Sequence, residues 1–336
     1  ARSGKLAQDK RVLSAGSQLS APRMSTMRTR LCERLCSRRR RPDSPKSSSS
    51  ALKFPETPLI LAGALGGPFV IFFLTPLRNA LSIASQDTTS SVSEIYAHVF
   101  DGGFSEGWVG GKFSVPASIP QFCVMGPFFH LMKEATDSAV IATVCSACAE
   151  TFISFSSQTL NAQIAQMELG GGIAVPLHSL GVPLGPGATV HVVRNIVALS
   201  GIRVFSGPCQ ALLVKLFNVL GLTSVPVAVR QLLGDFTASI GAAILSGPLN
   251  QMHGYAVTSE AYLNGGFKER VDVLINFLSS HYLSHDADGH VTGFTSTLPR
   301  DLFLRCAYVA TLFAIFGAIE RVAVLIGAKC RRSAPY

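Results

Sequence analysis

One pattern of punctuation recurs three times along this 336-residue chain, and it leaves few folds open. Thr75-Pro76-Leu77-Arg78-Asn79, Gln158-Thr159-Leu160-Asn161 and Gly247-Pro248-Leu249-Asn250 each close an apolar, glycine-bearing stretch. After each comes a polar segment, a short amphipathic segment, an aromatic-x-Gly signal and a second apolar stretch. The signals are Trp108-Val109-Gly110, Phe205-Ser206-Gly207 and the looser Val291-Thr292-Gly293. Positions 76, 159 and 248 lie 83 and 89 residues apart, and the three glycines 97 and 86. Self-similarity at a near-fixed period marks one structural unit used repeatedly. Three units of two apolar helices each predict a six-helix membrane protein.

Composition supports a bilayer as the solvent. The chain is 48% hydrophobic and 15% charged, with a mean hydropathy of +0.35, too apolar for an ordinary soluble domain. Pro58 to Leu77 is an uncharged run long enough to cross the hydrocarbon core as a helix. Further spans are expected near 111–133, 138–164, 207–230, 236–257 and 299–327. Each of these carries isolated polar or charged side chains, which are expensive in lipid and so should face a bundle interior or a wet cavity. Gly63-x-x-x-Gly67 has the small-residue spacing that lets helices approach closely. Pro76 and Pro248 remove backbone donors, which predicts helix kinks there. Val92 to Val99, Val190 to Leu199 and Phe267 to Leu283 read as short amphipathic segments along the interface, and Gly170 to Gly187 as a Gly/Pro loop.

The positive charge is concentrated at one end. Residues 1–53 hold 14 Lys and Arg against 3 Asp and Glu. This extension (1–56) is Arg- and Ser-rich, poor in acids and without a long apolar core, the composition of an organellar targeting segment. It has no interleaved aromatics for base stacking, so contact with membrane lipid or a protein partner is expected rather than with nucleic acid. Repeat units follow at 57–136, 137–234 and 235–336, the last with a basic end at Lys329-Cys330-Arg331-Arg332.

Site chemistry is sparse. The eight cysteines form no disulfide framework, and Cys145-x-x-Cys148 reads as small packing residues within a span. His281, His285 and His290 with Asp286 and Asp288 fit no regular zinc spacing and read as a solvated loop. No nucleophile–base arrangement or phosphate-cradling loop is present, so no enzyme activity, metal or catalytic residue is expected.

The repeats resemble the mitochondrial carrier family over about residues 57–328. Ala62-Gly63-Ala64-Leu65-Gly66-Gly67 through Thr75-Pro76-Leu77 is similar to that family's first helix. Gly103-Phe104-x-x-x-Trp108-Val109-Gly110 and Ser200-Gly201-Ile202-Arg203-x-Phe205-x-Gly207 are similar to its Gly-Phe-x-x-x-Trp-Arg-Gly turn. Gly293-Phe294-Thr295-x-Thr297-Leu298-x-Arg300 is similar to the start of its sixth helix. The resemblance implies an all-α fold of six transmembrane helices in three pseudo-symmetric pairs, multi-pass in the mitochondrial inner membrane. A plastid envelope is the weaker alternative, and bound lipid such as cardiolipin is the one cofactor it suggests.

The departures bear on function. In the family, Pro-x-[Asp/Glu]-x-x-[Lys/Arg] supplies three ion pairs that close one side. Here the acid positions hold Arg78, Asn161 and Asn250, and the basic ones Leu81, Ile164 and His253. On the even helices the corresponding gate motif is replaced by Phe129-His130-x-x-Lys133, Pro226-Val227-x-x-Arg230 and Phe316-Gly317-x-x-Glu320. Arg78, Asn79, Asn161, Asn250 and Gln251 are expected to form a polar ring that replaces the missing ion pairs by hydrogen bonds. With both gates altered, one state should dominate. The first expectation is therefore a carrier-like protein that has lost transport and serves as an accessory subunit of a respiratory or ATP synthase complex, held to other subunits through its N-terminal extension. The alternative is a divergent exchanger of a small anionic metabolite. By register with the family's contact positions, Lys215 and Arg300 are the expected substrate-binding residues.

Overall fold

Long helices form where the sequence offers apolar runs interrupted only by small residues, and six of them dominate the computed structural model, which describes residues 57–170, 175–222 and 224–333. The N-terminal extension and its basic run lie outside the described residues, as do the side chains of Lys329 to Arg332. The first is α1 (Thr57–Ala84), followed by the surface helix α2 (Val92–Val99) and a 3-10 turn, Phe104–Trp108. Helices α3 (Gly111–Thr136) and α4 (Ala139–Glu168) come next, joined through Asp137 in a left-handed conformation (φ 53°). Then α5 (Ala188–Ser200), a π-turn (Gly201–Phe205) and α6 (Ser206–Val219) run as one rod. Helix α7 (Val227–Thr258) is followed by the short α8 (Glu260–Asn264), α9 (Phe267–Tyr282), a small antiparallel hairpin of β1 (Leu283–His285) and β2 (Val291–Phe294), and α10 (Thr297–Ser333).

Five of these rods (α1, α4, α5–α6, α7 and α10) are long and apolar enough to span a membrane. The chain is an all-α, multi-pass membrane protein. Helix α3 has the length, but Lys112, His130, Lys133 and Glu134 with Pro116, Pro120 and Pro127 dilute its apolar character.

The long helices form a closed ring in chain order. α1 packs on α3, α3 on α4, α4 on α5, the α5–α6 rod on α7, α7 on α10, and α10 back on α1. Helices α1, α4 and α7 also touch one another across the middle. Successive helices alternate in direction, so the long connections gather at one end and the short ones, 137–138 and 220–226, at the other.

Close packing between α1 and α3 follows from the small-residue spacing. A Cβ on Gly63 would lie 2.4 Å from the Phe122 carbonyl oxygen, and one on Gly67 would lie 2.8 Å from the Phe122 Cβ. Helix α1 continues through Pro68 and Pro76, and α7 through Pro248. The carbonyl that Pro76 leaves without an intrahelical donor belongs to Phe72. The indole Nε1 of Trp108 donates to it at 2.8 Å, an external partner of the kind a proline in a spanning helix needs.

The second repeat departs from the expected plan. Val190 to Leu199 is not a separate surface helix but the first half of the fourth rod, and the returning span ends at Val219 rather than Arg230. Phe205-Ser206-Gly207 accordingly lies inside a helix. The π-turn absorbs the Gly201 region, where a Cβ would meet Ala242 at 2.7 Å. The expected repeat boundary at 234/235 falls inside α7, and the preceding connection is 220–226. In the third repeat Val291-Thr292-Gly293 forms a strand.

A buried three-arginine cavity

The ring encloses a cavity of about 90 Å³ with lining residues from all six rods. One water needs roughly 10–15 Å³ on this scale, so there is room for several waters or one small anion. Its charged lining comprises Arg78 from α1, Glu150 from α4, Arg194 from α5 and Arg305 from α10. Three guanidinium cations face one carboxylate. None of the three arginines forms an ion pair among the described residues; the four ion pairs found there involve Arg203, Arg300, Arg321 and His281.

Neutral groups hold the arginines instead. Arg194 donates from Nη2 to Gln158 Oε1 and Asn195 Oδ1, both at 2.9 Å, and from Nη1 to Asn250 Oδ1 at 3.4 Å. Arg305 donates from Nη1 to the same Asn250 oxygen at 3.0 Å and from Nε to Ser246 Oγ at 3.3 Å. Asn250 thus bridges two cations on different helices. Arg78 makes no side-chain hydrogen bond to a described residue, and its Nη2 is buried without a partner. Glu150 accepts at Oε1 from Gln121 (2.7 Å), Ser154 (2.8 Å) and Gln158 (3.2 Å), while its Oε2 is buried without a partner. Buried charges left in this state are costly unless something else completes them.

Two layers of different character bound the cavity. Toward the short-loop end lies an apolar layer that includes Val70, Met125, Leu199, Phe313 and the ring pair Phe122–Phe316, with centroids 4.6 Å apart. Beyond it, Arg203 pairs with Glu320 at 3.4 Å and lies over the Phe129 ring. Toward the long-loop end, neutral hydrogen bonds tie α1, α4 and α7 in a triangle. Asn161 Nδ2 donates to Asn79 Oδ1 (3.2 Å), Gln163 Nε2 to the Val257 carbonyl (2.8 Å) and Gln86 Nε2 to Thr258 Oγ1 (2.5 Å). Asn79 also donates to the carbonyls of Gly107 and Val109, both at 3.0 Å. Gly110 supports this contact with φ 73°, since a Cβ there would meet Asn161 Oδ1 at 2.9 Å.

The residues expected from sequence separate into three groups. Asn79 and Asn161 meet as a hydrogen-bonded pair. Arg78 and Asn250 belong to the cavity rather than to that ring, and Gln251 is buried with neither amide atom partnered. Lys215 and Arg300 are not at the cavity. Lys215 lies on the exposed flank of α6, because the fourth rod is displaced along the sequence from where the repeats put it. Arg300 is buried at the long-loop end. It donates to Asp301 Oδ1 (2.9 Å) and to the carbonyls of Ser90 (2.9 Å), Ala84 (3.0 Å) and Asp87 (2.7 Å), which caps the end of α1. Its neighbour Asp301 also accepts from His281 Nε2 at 2.8 Å and Tyr282 at 3.2 Å. His281 is therefore a buried structural residue and not part of a solvated loop. Burial, then the adjacent Asp301, hold the Tyr282 proton well above the ordinary phenol range.

Arg194 and Arg305 escaped the sequence reading. The available signal was a lone cation inside an apolar run. For Arg194 the amphipathic pattern of 190–199, which suits a surface helix, masks that signal.

Among known protein families and curated proteins, none matches this chain.

Proposed function

We propose that the chain is a carrier-like transporter that binds a small anion in the three-arginine cavity, in an inner membrane of the mitochondrial type. The observation that carries this reading is the formal surplus of two positive charges inside the ring, contributed by three helices and matched by no carboxylate among the described residues. Such a surplus in a water-poor interior favours entry of an anion, and guanidinium groups suit carboxylate or phosphate oxygens. The six rods in ring order, with alternating directions and paired odd and even helices, support a three-repeat carrier fold. The dissimilar layers on the two sides of the cavity suit a site reached from one side at a time.

Uptake into liposomes tests this directly. The reconstituted chain should accumulate one of a panel of small anions, Arg194→Gln and Arg305→Gln should abolish that uptake, and Lys215→Gln should leave it intact. The accessory-subunit reading is the second. It is favoured by the neutral triangle of Asn79–Asn161, Gln163–Val257 and Gln86–Thr258, which lacks the charges of a reversible gate. No uptake of any anion, together with migration in a megadalton band on a native gel of solubilised membranes, would establish it instead.

A further inference from the structure

We propose that Glu150 is a proton site linked to anion loading: the cavity takes up a small dianion, a dicarboxylate or a sulfate-like oxyanion, together with one proton that binds the Glu150 carboxylate. This rests on the anion-cavity reading and goes beyond it.

The argument starts from the two oxygens of Glu150. Oε1 is filled by three donors, from Gln121, Ser154 and Gln158, while Oε2 is buried and has none. Burial works against a charge on such a carboxylate, so holding one requires the field of nearby cations. Those cations come from every side of the cavity that carries charge: Arg78 on α1, Arg194 on α5 and Arg305 on α10. Helix α3 presents only the neutral Gln121 and α4 itself only Ser154 and Gln158. Helix α7 presents His253, and α10 also Tyr308.

A bound dianion cancels most of that field and sets a like charge beside Glu150. Both changes favour the protonated acid. The proton comes from the water through which the anion enters, forms the Oε2–H bond, and leaves when the anion leaves. While bound, Oε2–H can donate to the anion. The two histidines are poor rivals. Arg194 Nη2 points a donor at His191 Nε2, 2.8 Å away, so that nitrogen accepts and a proton on it would oppose the guanidinium. His253 has a buried, unpartnered Nε2 but lines the same cavity as the three cations, so a further positive charge there would meet both burial and like charge.

The test uses the purified full chain in detergent with sulfate, succinate and malate as probes, whose own charge is nearly constant from neutrality upward. Stabilisation against heat identifies the bound dianion, and a pH indicator in weakly buffered solution counts protons. The wild type should take up about one proton per anion, and Glu150→Gln about none, with anion affinity kept or raised several-fold because a negative charge is gone. If the variant does not fold, the wild type still decides: linkage requires anion affinity to rise as pH falls, toward about tenfold per pH unit. Anion binding without proton uptake, uptake that survives in Glu150→Gln, or a flat affinity profile overturns the proton site and leaves the cavity reading standing. Failure of every dianion to stabilise the protein overturns both.

Discussion

Among the described residues, two buried clusters that combine arginine with a carboxylate, at Arg300 and in the cavity, are completed differently. At the long-loop end, Arg300 directs its donors to Asp301 and three backbone carbonyls. Asp301 uses both oxygens, on Arg300, His281 and Tyr282. In the cavity, Arg78, Arg194 and Arg305 meet only neutral partners or none, and Glu150 leaves one oxygen empty. A charged cluster that is complete within the protein acts as structure. One that is incomplete is where the proposed anion would supply the missing partners.

The sharpest way to break this contrast is to remove the two kinds of arginine separately. Arg300→Ala should destabilise the fold by about 3–5 kcal/mol, since it strands a buried Asp301 and uncaps α1. The loss should appear as a large fall in the thermal unfolding midpoint in detergent. Arg305→Gln should leave that midpoint unchanged or raise it, because it removes a buried charge with no ion-pair partner and keeps a hydrogen-bonding amide. Equal and large losses in both variants would mean that the cavity arginines are structural too.

The second prediction inverts the readout. Arg194→Gln and Arg305→Gln should each weaken binding of the stabilising anion by about 10- to 100-fold, the scale of one charge-assisted hydrogen bond of roughly 1.5–3 kcal/mol. Anion-dependent shifts of the unfolding midpoint measure it. Arg300→Lys, if it folds, should show no such loss, because Arg300 lies away from the cavity.

How much of this contrast the sequence displays depends on the length of the signal. In the first repeat, Val92–Val99 and the Gly63/Gly67 contact follow local rules of amphipathicity and small-residue packing, while Trp108 is legible as a turn signal but not as the donor to Phe72. The second repeat is less legible. The 190–199 segment has the amphipathic pattern of a surface helix, yet its polar face, His191, Arg194 and Asn195, is turned into the ring. Amphipathicity specifies that a helix has two faces and is silent on which one meets water. Lys215 lies off the cavity for a related reason: the fourth rod starts earlier in the chain than the repeat register puts it. Arg300 does stand at the start of the last helix, but its donors go to the end of α1 rather than to the cavity. Asn79 and Asn161 do meet, whereas Arg78 and Asn250, equally near a motif proline, line the cavity instead.

A third prediction isolates the local rule from the global one. Trp108→Phe keeps an aromatic ring beside Phe72, now stacked at 5.6 Å, but removes the indole donor from the carbonyl that Pro76 exposes. The expected loss is about 1 kcal/mol, read as a modest fall in the unfolding midpoint. Pro76→Ala in the same background should recover it, because an alanine N–H can then satisfy Phe72 within the helix. If Pro76→Ala recovers nothing, the indole contact is incidental to the proline.

The smallest expected effect concerns the neutral triangle, and it decides what kind of closure the long-loop end is. Asn79 and Asn161 join α1 to α4 by a single side-chain bond of 3.2 Å. Hydrogen bonds between spanning helices average about 0.6 kcal/mol in double-mutant cycles, with about 1.7 as the upper range. Asn79→Ala alone should lose more than this, because it also releases the carbonyls of Gly107 and Val109. The coupling energy between Asn79→Ala and Asn161→Ala, measured by denaturation in detergent, should nevertheless fall near that average. Three links of this size close one end weakly enough for a bound anion to help open it, because each charged hydrogen bond gained in the cavity is of larger scale. A coupling well above the upper range would instead describe a permanent seam, and the balance would shift to the accessory-subunit reading.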